Sequence, residues 1–258
     1  MKLYDWSVAN LRWPLILFLL LSPLGCTSTP ANTPPVIAPQ AGQMKAQEIG
    51  LHRLTANVPG VGPVKYAVEV PRTYRDNQPA PLVLLLHHGY RGPTPAPYTG
   101  ANMIGVFRQG LVELEAVAIA PDVVGGNWRD PRNEKAAVWL VQSAMRSYNI
   151  DPARIIVMGF SMGGEGTWFI GSRHQDLFAA AVPIAAPVAG STQWKIPVYV
   201  IHSEADEIVS YEAARAHAEA VKAAGGTVEF RSITGLTHYQ ISEYGSHFRD
   251  AARWIETQ

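Results

Sequence analysis

One stretch, Gly159-Phe160-Ser161-Met162-Gly163-Gly164, restricts the fold more than any other because of what flanks it. Arg154 to Met158 is an apolar, β-like run, and from Met162 to about Ser172 the spacing is helical. Strand, glycine-flanked serine and helix together describe a tight turn that holds the serine in a strained backbone conformation. The need for glycine is steric. With no Cβ at 159 and 163 the strand and helix can approach closely, and Ser161 Oγ then projects at the carboxyl edge of a sheet. The helix aims its N-terminus at the same point. Its free N–H groups, Met162 N–H first, can receive an oxyanion that develops there. An ordinary βα turn with a solvated serine is the plain alternative, and the rest of the chain weighs against it by supplying the partners a reactive serine needs.

Those partners sit in an alternation of strands and helices. Leu51 to Asn57 and Val64 to Val70 read as strands joined by the turn Pro59 to Pro63, an antiparallel hairpin that opens the domain. Pro81 to His87 is a continuous apolar run, which predicts a strand buried on both faces of a largely parallel sheet. It ends in His87-His88-Gly89-Tyr90-Arg91-Gly92, where the two histidines are expected to pack and hydrogen-bond so as to hold the loop. A helix over Asn102 to Leu114 leads into a strand over Val117 to Asp122 and the loop Val123 to Asp130. Loops at the carboxyl edge of a parallel sheet face a cleft, so Asn127, Trp128 and Arg129 are candidates for lining it. A loop tryptophan equally often covers core. Glu134 to Tyr148 has one apolar face at helical spacing, and Trp168 and Phe169 are expected in the core. Strands over Ala179 to Ala185, Pro197 to His202 and Val228 to Ile233, with helices over Tyr211 to Ala224 and Ser242 to Glu256, complete an α/β pattern: a mostly parallel central sheet with helices on both faces.

Two late loops carry the remaining chemistry. After the strand ending at His202, Glu204, Asp206 and Glu207 compete as a carboxylate that could orient an imidazole. The loop Thr234 to Tyr239 supplies His238, placed to take a proton from Ser161 and return it, and Tyr239 beside it is a further candidate for binding substrate. His247 is the nearest rival, but it falls inside the terminal helix, where packing is the better expectation.

Charge removes several classes. The 21 basic and 21 acidic residues cancel, and no basic cluster interleaved with aromatics appears, so nucleic acid is not an expected partner. No histidine, cysteine or carboxylate cluster has metal-ligand spacing, and neither metal nor cofactor is expected. The amino terminus reads as an export signal. Lys2 and Arg12 precede an apolar run from Pro14 to Leu24, which is shorter than the about 20 residues a membrane span needs. It ends at Gly25-Cys26, which resembles a bacterial lipobox and implies lipidation of Cys26, the chain's one cysteine. The domains expected are therefore a signal segment 1–26, a Pro/Thr-rich tether 27–44 and a folded domain 45–258, held at a membrane in the periplasm or at the cell surface by a lipid anchor.

From about Leu51 to Gln258 the chain resembles the α/β-hydrolase superfamily, and within it the lid-less esterase and prolyl-oligopeptidase-like serine hydrolases. The stretches that carry the likeness are Leu86-His87-His88-Gly89, Gly159 to Gly164 with Gly166-Thr167-Trp168, His202 to Val209, and Gly235 to His238. The resemblance implies a nucleophile elbow at Ser161, with Asp206 and His238 completing a triad and the backbone N–H of Tyr90 joining that of Met162 in an oxyanion hole. Relatives often insert a cap between the strands ending near Ala185 and beginning near Pro197, and the gap here is too short to hold one. Departures lie at Ser210, where proline is common, and at Glu165, where an aromatic is common. The activity implied is acyl-enzyme cleavage of carboxylic esters, small or polysaccharide-linked. Peptide cleavage and a noncatalytic binding role on the same fold stand as the alternatives.

Overall fold

The computed structural model describes residues 44–258. Cys26, the apolar run before it and the tether up to residue 43 lie outside the described residues. One boundary shifts. Met44, expected in the tether, is buried in the core and its carbonyl accepts a hydrogen bond from Ser147 Oγ, so the folded part includes it.

Eight strands form one sheet in the order β1 (Gly50–Val58), β2 (Gly62–Val70), β4 (Val117–Pro121), β3 (Ala80–Leu86), β5 (Ile150–Phe160), β6 (Ala180–Ile184), β7 (Val198–Ser203) and β8 (Val228–Ile233). The β1–β2 and β2–β4 pairings are antiparallel, and every pairing from β4 to β8 is parallel. The strands β3, β4 and β6 are buried at every position, which is why they read as unbroken apolar runs rather than alternations. Leu82, Leu84 and Leu86 face one core, with α3 (Pro131–Ser147), α4 (Met162–Arg173) and α5 (Tyr211–Ala223). Val83 and Leu85 face the other, with α1 (Thr99–Val106), α2 (Arg108–Leu114) and α6 (Ile241–Ile255).

The helix expected over Asn102 to Leu114 is two helices. Phe107 leaves the helical conformation at φ −98°, ψ 15°, and its fully buried ring meets Phe248 of α6 edge-on at 6.0 Å. Packing against α6 therefore breaks a segment whose spacing alone reads as continuous. Along the sheet, β3 has β4 on one side and β5 on the other, so the chain reverses winding direction there. Such a switch point opens a crevice at the carboxyl ends of the strands. The loops after β3 and β5, which carry Tyr90 and Ser161, leave from that crevice.

Candidate active site

Ser161 stands between β5 and α4 at φ 57°, ψ −119°, one of four non-glycine residues at positive φ among the described residues. A conformation of this kind costs on the order of 1–3 kcal/mol and is kept only where its surroundings enforce it. The enforcement is visible at the flanking glycines. A Cβ on Gly163 would lie 1.9 Å from the Leu86 carbonyl oxygen, and one on Gly159 would lie 2.4 Å from that of Gly163. The backbones of β3, β5 and α4 thus touch where only glycine fits. Ser161 N–H donates to the Ile184 carbonyl at 2.9 Å, which fixes the turn against β6. Met162 N–H, at the first helical position, has no acceptor within its own helix.

Three side chains from three loops meet in a line. His238 Nε2 lies 2.8 Å from Ser161 Oγ, and His238 Nδ1 lies 2.8 Å from Asp206 Oδ2. A carboxylate can only accept, so Nδ1 carries the hydrogen and Nε2 accepts from the serine hydroxyl. The Asp206 side chain is fully buried, and its other oxygen, Oδ1, accepts the N–H groups of Ile208 and Val209 at 2.9 and 2.8 Å. The carboxylate is thereby locked with one oxygen free for the imidazole.

The competing acids have separate tasks. Glu207 Oε2 accepts the backbone N–H of His238 at 3.0 Å, pinning the loop that carries the imidazole. Glu204 Oε1 accepts from Ser232 Oγ at 2.7 Å, tying the β7 loop to β8. His247 lies half-buried on α6, and burial lowers its imidazole below the ordinary value.

The loop after β3 is fastened from within. His87 is wholly buried; its Nδ1 donates to the His88 carbonyl at 2.7 Å, and its Nε2 accepts the Val123 N–H at 3.2 Å. Burial pushes that imidazole down to about 4, so it is neutral and holds the loop as the sequence suggests. Tyr90 Oη donates to the Gly126 carbonyl at 2.9 Å, joining the β3 loop to the one after β4.

Trp128, a candidate either for lining the cleft or for covering core, covers core, which corrects its place among the substrate contacts: it is 1% exposed, its ring is edge-on to His87 at 5.2 Å, and its Nε1 donates to the His87 carbonyl at 2.9 Å. A Cβ on Gly166 would come 2.5 Å from the Trp128 Cβ, so the indole is wedged against α4 and has no face left for a ligand. Asn127 and Arg129 are exposed. Asn127 Oδ1 accepts the Arg129 N–H at 2.9 Å, and the Arg129 guanidinium pairs with Glu165 at 3.4 Å. Tyr239 is 74% exposed directly beside His238. Asn133 escaped notice: buried in the first turn of α3, it accepts the Val124 N–H and donates to the carbonyls of Gly125 and Asn127, shaping the whole β4 loop. Nothing in sequence marks it, since a helical asparagine usually faces water.

A hydrogen-bonded serine, histidine and aspartate at the switch point of such a sheet define the α/β-hydrolase class. The dienelactone hydrolase family matches the chain over residues 85–253 of its 258, and the chain belongs to that family of hydrolases. Its likeness to a bifunctional acetylxylan esterase/xylanase of Neocallimastix patriciarum is 29% identity over 89 residues, 32% of this chain and 13% of the relative. Among solved structures it resembles a thermostable esterase at TM-score 0.69 and 24% identity, over 81% of this chain and 62% of the other. A hyperthermophilic esterase from Pyrobaculum calidifontis superposes at TM-score 0.64 with 16% identity, over 84% of this chain and 85% of its own. These likenesses show a shared fold. The chain spans a small part of the acetylxylan relative and less than two thirds of the thermostable esterase.

Proposed function

We propose that the chain is an exported serine hydrolase that cleaves carboxylic esters through an acyl-enzyme. The observation that carries this is the line from Ser161 Oγ through His238 to Asp206 Oδ2, with both links at 2.8 Å. In this reading Ser161 Oγ attacks the ester carbonyl carbon as its proton passes to His238 Nε2. Negative charge gathers on the former carbonyl oxygen, where the Met162 and Tyr90 N–H groups receive it. The carbon–oxygen bond to the alcohol then breaks, and His238 returns the proton to that leaving oxygen. Water repeats the sequence on the acyl-serine, releasing the acid. Asp206 remains an anion throughout, orienting the ring and balancing the transient imidazolium. Asn127, Arg129 and Tyr239 are the exposed side chains proposed to meet the substrate.

The relative acting on acetylxylan makes esters on a polysaccharide one substrate to try beside small acyl esters. The test is initial-rate hydrolysis of a p-nitrophenyl ester panel and of acetylated xylan, with aminoacyl-anilides alongside. Ser161→Ala and His238→Ala are each expected to lose on the order of a million-fold in turnover, and the double variant no more than either. Asp206→Asn is expected to lose about ten-thousand-fold. Retained turnover in Ser161→Ala would end the reading, and faster anilide than ester cleavage would move it to a peptidase.

Export and anchoring are proposed from the apolar run Pro14 to Leu24 and Cys26. Palmitate labelling of the wild-type chain that is absent in Cys26→Ser, with unchanged ester turnover, is the expected result; an unlabelled wild type removes the anchor.

A further inference from the structure

A second imidazole approaches the same carboxylate oxygen. His202, the penultimate residue of β7, is wholly buried, and its Nε2 lies 3.1 Å from the Val209 carbonyl and 3.5 Å from Asp206 Oδ2. Val209 O only accepts, so the hydrogen of His202 is on Nε2 and is given to that carbonyl, while Asp206 Oδ2 is a longer electrostatic contact of the same nitrogen. Burial lowers the His202 imidazole below its ordinary value, in keeping with a neutral ring. Its Nδ1 is then a bare acceptor, buried with no partner among the described residues. The imidazole thus satisfies the Val209 carbonyl while leaving one of its own nitrogens unpaired.

We propose that His202 is a positioning residue for the reaction, holding Asp206 Oδ2 on the His238 axis through its N–H bond to the Val209 carbonyl and its electrostatic contact with that oxygen. The inference rests on the serine-hydrolase reading and deepens it. Val209 links both ends of the arrangement. Its N–H is given to Asp206 Oδ1 at 2.8 Å while its carbonyl takes the His202 hydrogen, so the two peptide units that flank Val209, at the end of the turn from Asp206, are each held. Without the His202 bond the backbone at Val209 can rotate, the carboxylate that its N–H holds swings with it, and Oδ2 leaves the plane of the imidazole. The other groups around the carboxylate do not replace it. Glu207 is engaged with the His238 backbone, and the buried Tyr244 hydroxyl is pushed up to about 12 by burial and by the charge of Asp206, so it stays neutral. Tyr211 presents only its ring edge to His202, at 6.1 Å between centroids.

The experiment compares wild type, His202→Leu and His202→Gln, each counted by active-site titration with a fluorophosphonate. Displacement of a reacting group by about 1 Å costs on the order of 100-fold, so His202→Leu should lose between about tenfold and about 100-fold in kcat per titrated site with KM within about twofold. His202→Gln, which keeps a donor of similar reach, should recover most of that loss. The low-field proton resonance of His238 Nδ1–H should weaken or move in His202→Leu and return in His202→Gln. Wild-type kcat and an unmoved resonance in His202→Leu would overturn the inference, as would equal losses in both variants. Should His202→Leu yield no folded protein, the His202→Gln resonance and kcat decide alone: a displaced resonance or a lost kcat there refutes the positioning role. A wild type that does not react with the fluorophosphonate would refute the serine-hydrolase reading itself, which the His202 variants do not test.

Discussion

Among single residues, His87 couples the loop that bears Tyr90 to acidity. Its imidazole is held at about 4 by burial, against an ordinary 6.5, because a charged ring would lose its hydration without gaining an anion. The unfolded chain therefore binds a proton between about pH 6.5 and 4 that the folded chain refuses. Folding stability is full above this window and is lost as pH falls through it, by at most about 3 kcal/mol. Burial lowers His202 and His217 in the same sense, so their effect adds. Urea unfolding at pH 7.5, 6 and 5 should show the midpoint falling, and His87→Gln should flatten that fall while lowering the midpoint at pH 7.5. An equally steep fall in His87→Gln would assign the acid sensitivity elsewhere. At this scale the sequence was informative where chemistry depends on chain order. Serine, acid and histidine follow in that order after β5, β7 and β8, and the structure brings Ser161, Asp206 and His238 together. What could not be read depends on reach. Glu207 and Asp206 are neighbours with the same charge, and only the fold turns one toward a backbone N–H and the other toward a ring nitrogen. Trp128 was ambiguous for a related reason, since whether a loop indole faces in or out depends on Gly166 leaving room for it.

Elements are positioned by where they lack side chains. Gly163 sets α4 against the end of β3, with backbone oxygen 1.9 Å from where a Cβ would stand. Gly110 does the same between α2 and α6, but there the obstacle is the Phe248 ring at 2.1 Å. A backbone obstacle cannot step aside, whereas a ring can shift. Gly110→Ala should therefore fold with stability lowered by about 1–3 kcal/mol and with turnover near that of wild type, because overpacking there stays on the α1–α2–α6 face. Gly163→Ala should lose turnover even where protein is recovered, because the turn that presents Ser161 must open. Thermal melting with ester turnover on both variants checks this, and an active Gly163→Ala would show that the close approach is not what fixes the serine. Strand and helix identities were legible because two-sided burial writes long apolar runs. Their ends were not. β5 begins at Ile150, through Asp151 and Pro152, because a register shift opposite Ala80 to Leu82 accommodates the extra residues. Phe107 divides a helix for the sake of Phe248, a partner 141 positions away whose placement no local pattern records.

At the scale of the molecule, the decisive feature is a short connection. Between β6 and β7 only residues 185–197 intervene, and they form neither helix nor strand. A cap that closes over a crevice needs elements of its own to bury an apolar underside, and thirteen residues of loop held by Trp194 in the core supply none. Ser161 is accordingly part-exposed, and the exposed Val188, Ile208 and Tyr239 stand on the loops after β6, β7 and β8 with none of the described residues folded over them. A lid makes an enzyme respond to an oil–water interface because opening exposes apolar surface that the interface then covers. With no such surface to unmask, the open state is the resting state. Ester hydrolysis should therefore rise hyperbolically with dissolved substrate and level off at its solubility limit. Rates for a short-chain ester measured across that limit, with and without emulsification, check the expectation. A jump in rate as droplets form would mean that some other segment covers Ser161 in solution, and the short connection would lose its meaning.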